Sequence, residues 1–250
     1  MEMTENAGKY LEKMSQGWLD ELAASDPEFT ERLANFAFDE VVNEDDLDDK
    51  TRSMAILAAL MGCQGIDLFA EMLEAAMNFG VSAQEIREIV YQGTDYLGIG
   101  RVLPFIRAMN SFFEQKGISL PLAPAATTTM ETRREAGTAA QMEIFGEGMK
   151  DFYQSGPAET VHINRWLAAN CFGDYYTRKG LDLAQREMVT FCYIAAQGGC
   201  QPQLIAHAGG NMKMGNDRGF LIKIISQCLP YIGYPRSLNA INAVNEAAGK

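Results

Sequence analysis

The chain contains only two histidines, His162 and His207, far apart in sequence. With no Cys-x-x-Cys pair either, a zinc site is not expected. Neither a G-x-G-x-x-G pattern nor a P-loop occurs, so a nucleotide is not indicated and no cofactor is expected. No apolar run reaches the ~18 residues of a membrane span. The first residues, Met1-Glu-Met-Thr-Glu-Asn6, lack the basic and apolar regions of a secretory signal. Basic residues are outnumbered, giving a net charge of -12. That balance argues against nucleic acid, whose phosphates need basic stripes. Five cysteines, Cys63, Cys171, Cys192, Cys200 and Cys228, form an odd and scattered set, mostly inside apolar helical patterns. Free thiols in a cytoplasmic protein are the expectation.

Strand-like alternation is also absent. The apolar residues instead recur at helical spacing, at Ile56, Leu57, Leu60 and Met61, and again at Met188, Phe191, Cys192 and Ala195. Helix boundaries are written locally. Ser82-Ala-Gln-Glu85 fits a capping box after Gly80, which ends the preceding helix. Asp26-Pro27 starts an earlier helix, and Gly215 with Asn216 or Asp217 separates two later ones. The acidic run from Asp39 to Asp49 reads as a solvated loop leading into a helix start.

The chain also repeats itself. Leu47-Asp48 followed by Arg52 matches Leu181-Asp182 followed by Arg186. Tyr96-Leu-Gly98-Ile-Gly-Arg101 matches Tyr231-Ile-Gly233-Tyr-Pro-Arg236 at an offset changed by one residue. Each copy is expected to be a helical hairpin followed by two more helices. The proline-bearing stretch from Ile118 to Thr129 is the best linker. The predicted organisation is therefore all-α, with two similar helical-bundle halves, 1–125 and 126–250.

One cluster of chemistry stands out. Glu187 lies roughly 16 Å down one helix before the Gly198-Gly199 turn, and His207 roughly 12 Å down the next, at ~1.5 Å per residue. If the helices are antiparallel, the two side chains sit at similar heights. A carboxylate there fixes the imidazole tautomer for general acid–base work; the alternative is a purely structural hydrogen bond. Cys200, at the start of the second helix, is the most plausible reactive thiol, set against an inert small residue. Arg236 suits a carboxylate substrate, or else a salt bridge to a neighbouring acid. Gln203, Tyr231 and Trp166 are candidate pocket residues, with Phe172, Tyr175 and Tyr176 as further walls, though core packing is the default for aromatics. Arg186 reads as a structural ion pair and His162 as structural. In the first copy Ser53 stands at the position of Glu187, and Met72 or Leu73 at that of His207. That half is expected to be a degenerate module, with a possible place at the border of the second half's pocket.

The pattern Leu181-Asp-x-x-x-Arg-Glu-Met-Val, the Gly-Gly turn, His207, then Tyr231-x-Gly-x-Pro-Arg-x-x-Asn-Ala240 resembles the carboxymuconolactone decarboxylase family, which shares a fold with alkylhydroperoxidase D. The likeness covers roughly residues 180–246 closely and 46–112 more loosely. It implies an all-helical fold and a homo-oligomer, with a trimer the analogue of hexameric single-repeat members. It also implies a decarboxylase-like enzyme acting on a small carboxylated lactone or related acid, with Glu187, Cys200 and His207 at its centre. A thiol peroxidase of peroxiredoxin type, using Cys200, is the second expectation. The hydroperoxidase branch places a second cysteine where this chain has Gln203, so the disulfide of a dithiol mechanism cannot form unless Cys192 or Cys171 folds into range of Cys200. A non-catalytic binding or assembly protein is the third.

Overall fold

A computed structural model describes residues 2–249 except 16 and 18. Every regular element among the described residues is helical. The first repeat runs through α1 (Glu5–Met14), α2 (Asp20–Ser25), α3 (Pro27–Asn35), a π-helical turn (Phe36–Glu40), α4 (Asp49–Gly62), α5 (Ile66–Asn78), α6 (Ala83–Leu97) and α7 (Ile99–Gln115). The second runs through α8 (Arg133–Phe145), α9 (Val161–Trp166), a longer π-helix (Leu167–Tyr176), α10 (Leu183–Gln197), α11 (Gln201–Lys213), α12 (Arg218–Ile232) and α13 (Tyr234–Ala247). The expected pattern of a hairpin plus two helices appears twice, as α4–α7 and α10–α13. Further helices precede each hairpin. Residues between α7 and α8 form the non-helical connection that the prolines suggested.

The caps follow the local chemistry. Ser82 accepts from the Glu85 amide and Glu85 returns to Ser82, closing the capping box of α6. Asp182 and Gln185 do the same for α10, and Asp48 and Asp217 cap α4 and α12. The acidic run is more than a solvated loop. Asp46 pairs with Lys223 and Asp45 accepts from Gln227, tying it to α12.

Helices α4 and α10 are apolar on nearly every face, so both are buried, and they pack against each other at the centre. They approach closely because Gly62 has no side chain: a Cβ there would lie 2.6 Å from the Tyr193 carbonyl oxygen. The largest core cluster draws on both repeats, with Leu57, Met61 and Ile89 meeting Val189, Tyr193 and Ile224. Polar bridges cross the same seam. Arg186 donates to Gln92 on α6 (2.7 Å) and to Glu88 (3.3 Å), and Arg52 donates to Gln227 on α12 (2.9 Å). Arg186 is thus the structural anchor expected.

A second close crossing lies at the edge of the second repeat. Helix α8 lies directly on the π-helix through Gly137 and Gly173. A Cβ on Gly137 would fall 1.9 Å from the Ala168 carbonyl oxygen, and one on Gly173 2.0 Å from that of Arg133. Only glycine allows backbones to meet so nearly.

Candidate active site

The antiparallel hairpin of α10 and α11 brings Glu187 and His207 to one height. His207 Nδ1 lies 2.9 Å from Glu187 Oε2, and both side chains are buried. Asn211, one turn beyond His207, donates to the backbone carbonyls of Glu187 (2.9 Å) and His207 (2.8 Å), locking the helices in register. Gly210 leaves the room that the carboxylate occupies; a Cβ there would be 2.5 Å from Glu187 Oε2.

The other carboxylate oxygen is held from the π-helix. Tyr176 donates to Glu187 Oε1 at 2.9 Å. With its one proton so used, Tyr176 oxygen accepts from Tyr96 (2.8 Å) and Thr190 (2.7 Å). Thr190 in turn accepts from Gln92 at 2.8 Å, and the Cys171 thiol points to Tyr96 at 3.6 Å. Burial raises the Tyr96 and Tyr176 phenols well above their usual range, and the Cys171 thiol as well, so all three stay protonated. Their hydrogen bonds converge on Glu187, which therefore acts as an acceptor, and His207 donates to it through Nδ1. That fixes the tautomer. No described residue bonds Nε2.

His207 lines a cavity of about 580 Å³. Its walls are mainly apolar: Phe145, Met149 and Phe152 on one side, Leu167 and Phe172 on the π-helix side, and Ile194 on α10. Tyr96 and Phe145 meet the imidazole edge-on, each with ring centroids 5.4 Å away. Exposed Pro202 and Gln203 carry the lining to the surface. A larger hollow of about 850 Å³ lies against α1 and α2, but no histidine or cysteine lines it.

Cys200 and Gln203 lie at the cavity. Cys200 lines the cavity with Gln197 Nε2 3.3 Å from its sulfur, and Gln203 lies one turn before His207. No second cysteine lines it among the described residues. Three others are elsewhere. Arg236 is not on the cavity wall; it lies behind the Gly-Gly turn, its Nε 3.9 Å from where a Gly198 Cβ would be. Trp166 is 58% exposed and stacks edge-on with His162, while its neighbour Leu167 lines the cavity. Tyr231 belongs to the opposite site.

That last correction follows from how the repeats interlock. Helix α6, in the first repeat, supplies Asp95 and Tyr96 to the His207 cavity. Helix α12, in the second, supplies Gln227 and Tyr231 to the equivalent place in the first repeat, beside Ser53 and Met72. By the repeat offset Tyr231 is the counterpart of Tyr96, and Gln227 of Gln92. Each site thus borrows a wall from the other half. The first-repeat site is filled by Met14, Phe38 and Met72 and has shrunk to about 10 Å³.

Sequence reasoning also missed Asp95 and Gln141, both on the cavity wall. Burial and the charge of Asp174 push Asp95 up to about 7. Its Oδ2, and both polar atoms of Gln141, have no hydrogen-bond partner among the described residues. The internal repeat pointed to Tyr96 once the exchange of α6 and α12 is known. No sequence signal singled out Gln141. Among the described residues no lysine or arginine lines the cavity, and no cluster of metal-ligating side chains occurs. Among the described residues no helix is long and apolar enough to cross a membrane.

A model of the carboxymuconolactone decarboxylase family matches residues 27–110 and again 162–246. Among solved structures, one from Burkholderia xenovorans LB400, described as a candidate gamma-carboxymuconolactone decarboxylase subunit, is 20% identical. The alignment covers 97% of this chain and 95% of that one with a TM-score of 0.57, a likeness of fold. No curated protein matches the chain.

Proposed function

The chain belongs to the carboxymuconolactone decarboxylase family, and from that premise we propose that it is an enzyme using His207 as general acid and base on a small carboxylated lactone or related acid. The carrying observation is the His207–Glu187 contact of 2.9 Å at the wall of a cavity of about 580 Å³. That volume falls within the range of small-molecule sites.

In this reaction the C–C bond to the carboxylate breaks and carbon dioxide leaves. The bonding pair passes, through the ring C=C of a 4-carboxymuconolactone-type substrate, into the lactone carbonyl as an extended enolate. His207, protonated at Nε2, gives its proton to the carbanion carbon and ends neutral, with Nδ1–H still on Glu187. Glu187 stabilises the imidazolium before transfer and keeps the ring aimed throughout. Tyr176 keeps the carboxylate itself in place. The walls favour the same direction. A carboxylate brought among Phe145, Phe172 and Ile194, with no lysine or arginine lining the cavity, loses hydration that nothing replaces. Its charge is better accommodated once spread over an enolate.

Cys200 supports a second reading, thiol-dependent peroxide reduction, because its sulfur lines the same cavity. The two separate cleanly. With a 4-carboxymuconolactone-type substrate, His207→Ala should lose ~10²–10⁴-fold in kcat, the range of a general acid, while Cys200→Ser keeps most activity. Equal rates for wild type and His207→Ala remove the histidine from the mechanism. Peroxide-dependent oxidation of Cys200, reversed by a thiol donor, would favour the second reading instead.

A further inference from the structure

Gln141 is the most anomalous side chain in the cavity. It sits on α8, is 1% exposed, and lines the space into which His207 faces. Neither its carbonyl oxygen nor its amide nitrogen has a hydrogen-bond partner among the described residues. Buried amides are nearly always paired, because stripping water from one without replacement is costly. Asp95, on the wall supplied by α6, shares a hydrogen bond with the Cys171 thiol, but its Oδ2 is buried without a partner among the described residues. These groups have nothing to do in the proton transfer described above. They also fall differently with respect to the family: Asp95 lies within the matched segments, whereas Gln141, Met149 and Phe152 lie between them, in 111–161. That wall therefore lies outside the segments the family model matches.

We infer that Gln141, assisted by Asp95, is the specificity-determining group of this cavity and takes an uncharged carbonyl–hydroxyl pair on the substrate. This rests on reading the cavity as a substrate site. The amide Nε2 donates to the carbonyl and Oε1 accepts from the hydroxyl, so one ligand feature satisfies both orphaned atoms. An anionic group is disfavoured at this place. Asp95 feels the charge of Asp174 on the π-helix, Glu187 is bonded to His207, and no lysine or arginine lines the cavity. The apolar remainder of the ligand rests on Phe145, Phe152 and Phe172. The substrate class narrows accordingly to hydroxylated lactones or hydroxy-carbonyl acids, held by the neutral oxygens while the reacting carbon is turned to His207. A site built to bond a hydroxyl discriminates strongly against the analogue lacking it, because its own polar atoms are then left bare.

The test uses the full chain and two neutral probes: pantolactone, whose hydroxyl is next to the lactone carbonyl beside two methyl groups, and the same lactone without the hydroxyl. Affinities are measured by titration calorimetry or ligand-observed NMR for wild type, Gln141→Leu, Gln141→Met and His207→Ala. Wild type should prefer pantolactone by about tenfold, the effect of one hydrogen bond. Gln141→Leu should bring the two probes within about twofold of each other without lowering the melting temperature, since a buried unpaired amide is being removed. Gln141→Met serves the same purpose if the leucine variant misfolds. His207→Ala should keep the preference. Equal affinities in wild type, no binding of pantolactone, or a preference surviving in both Gln141 variants would overturn the inference. Turnover that depends on His207 without any probe preference discards the Gln141 assignment alone. A preference without such turnover keeps that assignment and discards the acid–base chemistry.

Discussion

Replacing Asp95 by asparagine should stabilise the protein, and by an amount that depends on pH. Asp95 sits on α6 with one carboxyl oxygen buried and unpartnered, facing Asp174, Cys171 and Tyr175 from the π-helix segment and Tyr193 from α10. Burial, then the Asp174 charge, lift it from the ordinary 3.8 to about 7. Between those two values the folded protein holds a proton that the unfolded chain has released. Stability therefore falls as pH rises through that window and levels off above about 7. Three pKa units at about 1.4 kcal/mol each give a cost of about 4 kcal/mol at neutral pH. Asparagine has the same shape and does not titrate. The stability gap between Asp95→Asn and wild type should thus widen, in favour of the variant, by about 4 kcal/mol between pH 4 and pH 8, on the order of 10 °C in melting temperature for a chain of this size. Urea or thermal unfolding of both proteins at a series of pH values and constant ionic strength measures it. Asp174→Asn should move the window towards acid, because one of the two causes is removed. A gap that stays constant with pH, or one that widens only on the acid side, would refute the reasoning.

The glycines at close crossings give sharper steric tests. Gly137→Ala places a carbon 1.9 Å from the Ala168 carbonyl oxygen, so α8 must lift off the π-helix; urea unfolding should show a loss above the ~1–3 kcal/mol of ordinary overpacking. Gly210→Ala puts a carbon 2.5 Å from Glu187 Oε2, and steady-state kinetics should show kcat falling for this variant and for Glu187→Gln alike. Arg236→Ala should leave KM for a carboxylated substrate unchanged, because that guanidinium is not on the cavity wall. Residues 1–125 and 126–250, expressed apart, should each lack cooperative unfolding by circular dichroism, since the main core cluster draws on both.

What the sequence made legible was local or set by helix geometry. Ser82 declared itself as a cap, and Asn216 or Asp217 as another, because capping is a matter of three or four residues; the structure assigns the second to Asp217. Glu187 and His207 could be paired because a tight turn between two helices fixes which heights coincide. Arg236, Tyr231 and Trp166 stand out in the sequence for their chemistry and for lying in the same repeat as His207. Neither criterion says which surface a helix presents to which neighbour. The repeat offset establishes that Tyr96 and Tyr231 are equivalent, yet equivalence does not reveal that each packs into the other's half. Gln141 was invisible for a different reason. Its significance is that nothing bonds it, and the absence of a partner becomes visible only once all the other atoms have positions.

The exchange of α6 and α12 has a consequence for how such a molecule can be simplified. A lone module would carry its imidazole on a cleft with one side missing, and two modules would have to dock before either held a guest. Joining them in one chain makes that docking intramolecular and independent of protein concentration. One working cleft then needs only the outer scaffolding of its twin. The twin's own cleft is released from having to stay open, and packing methionine and phenylalanine into it, as Met72 and Phe38 do, turns it into a keystone for the open one.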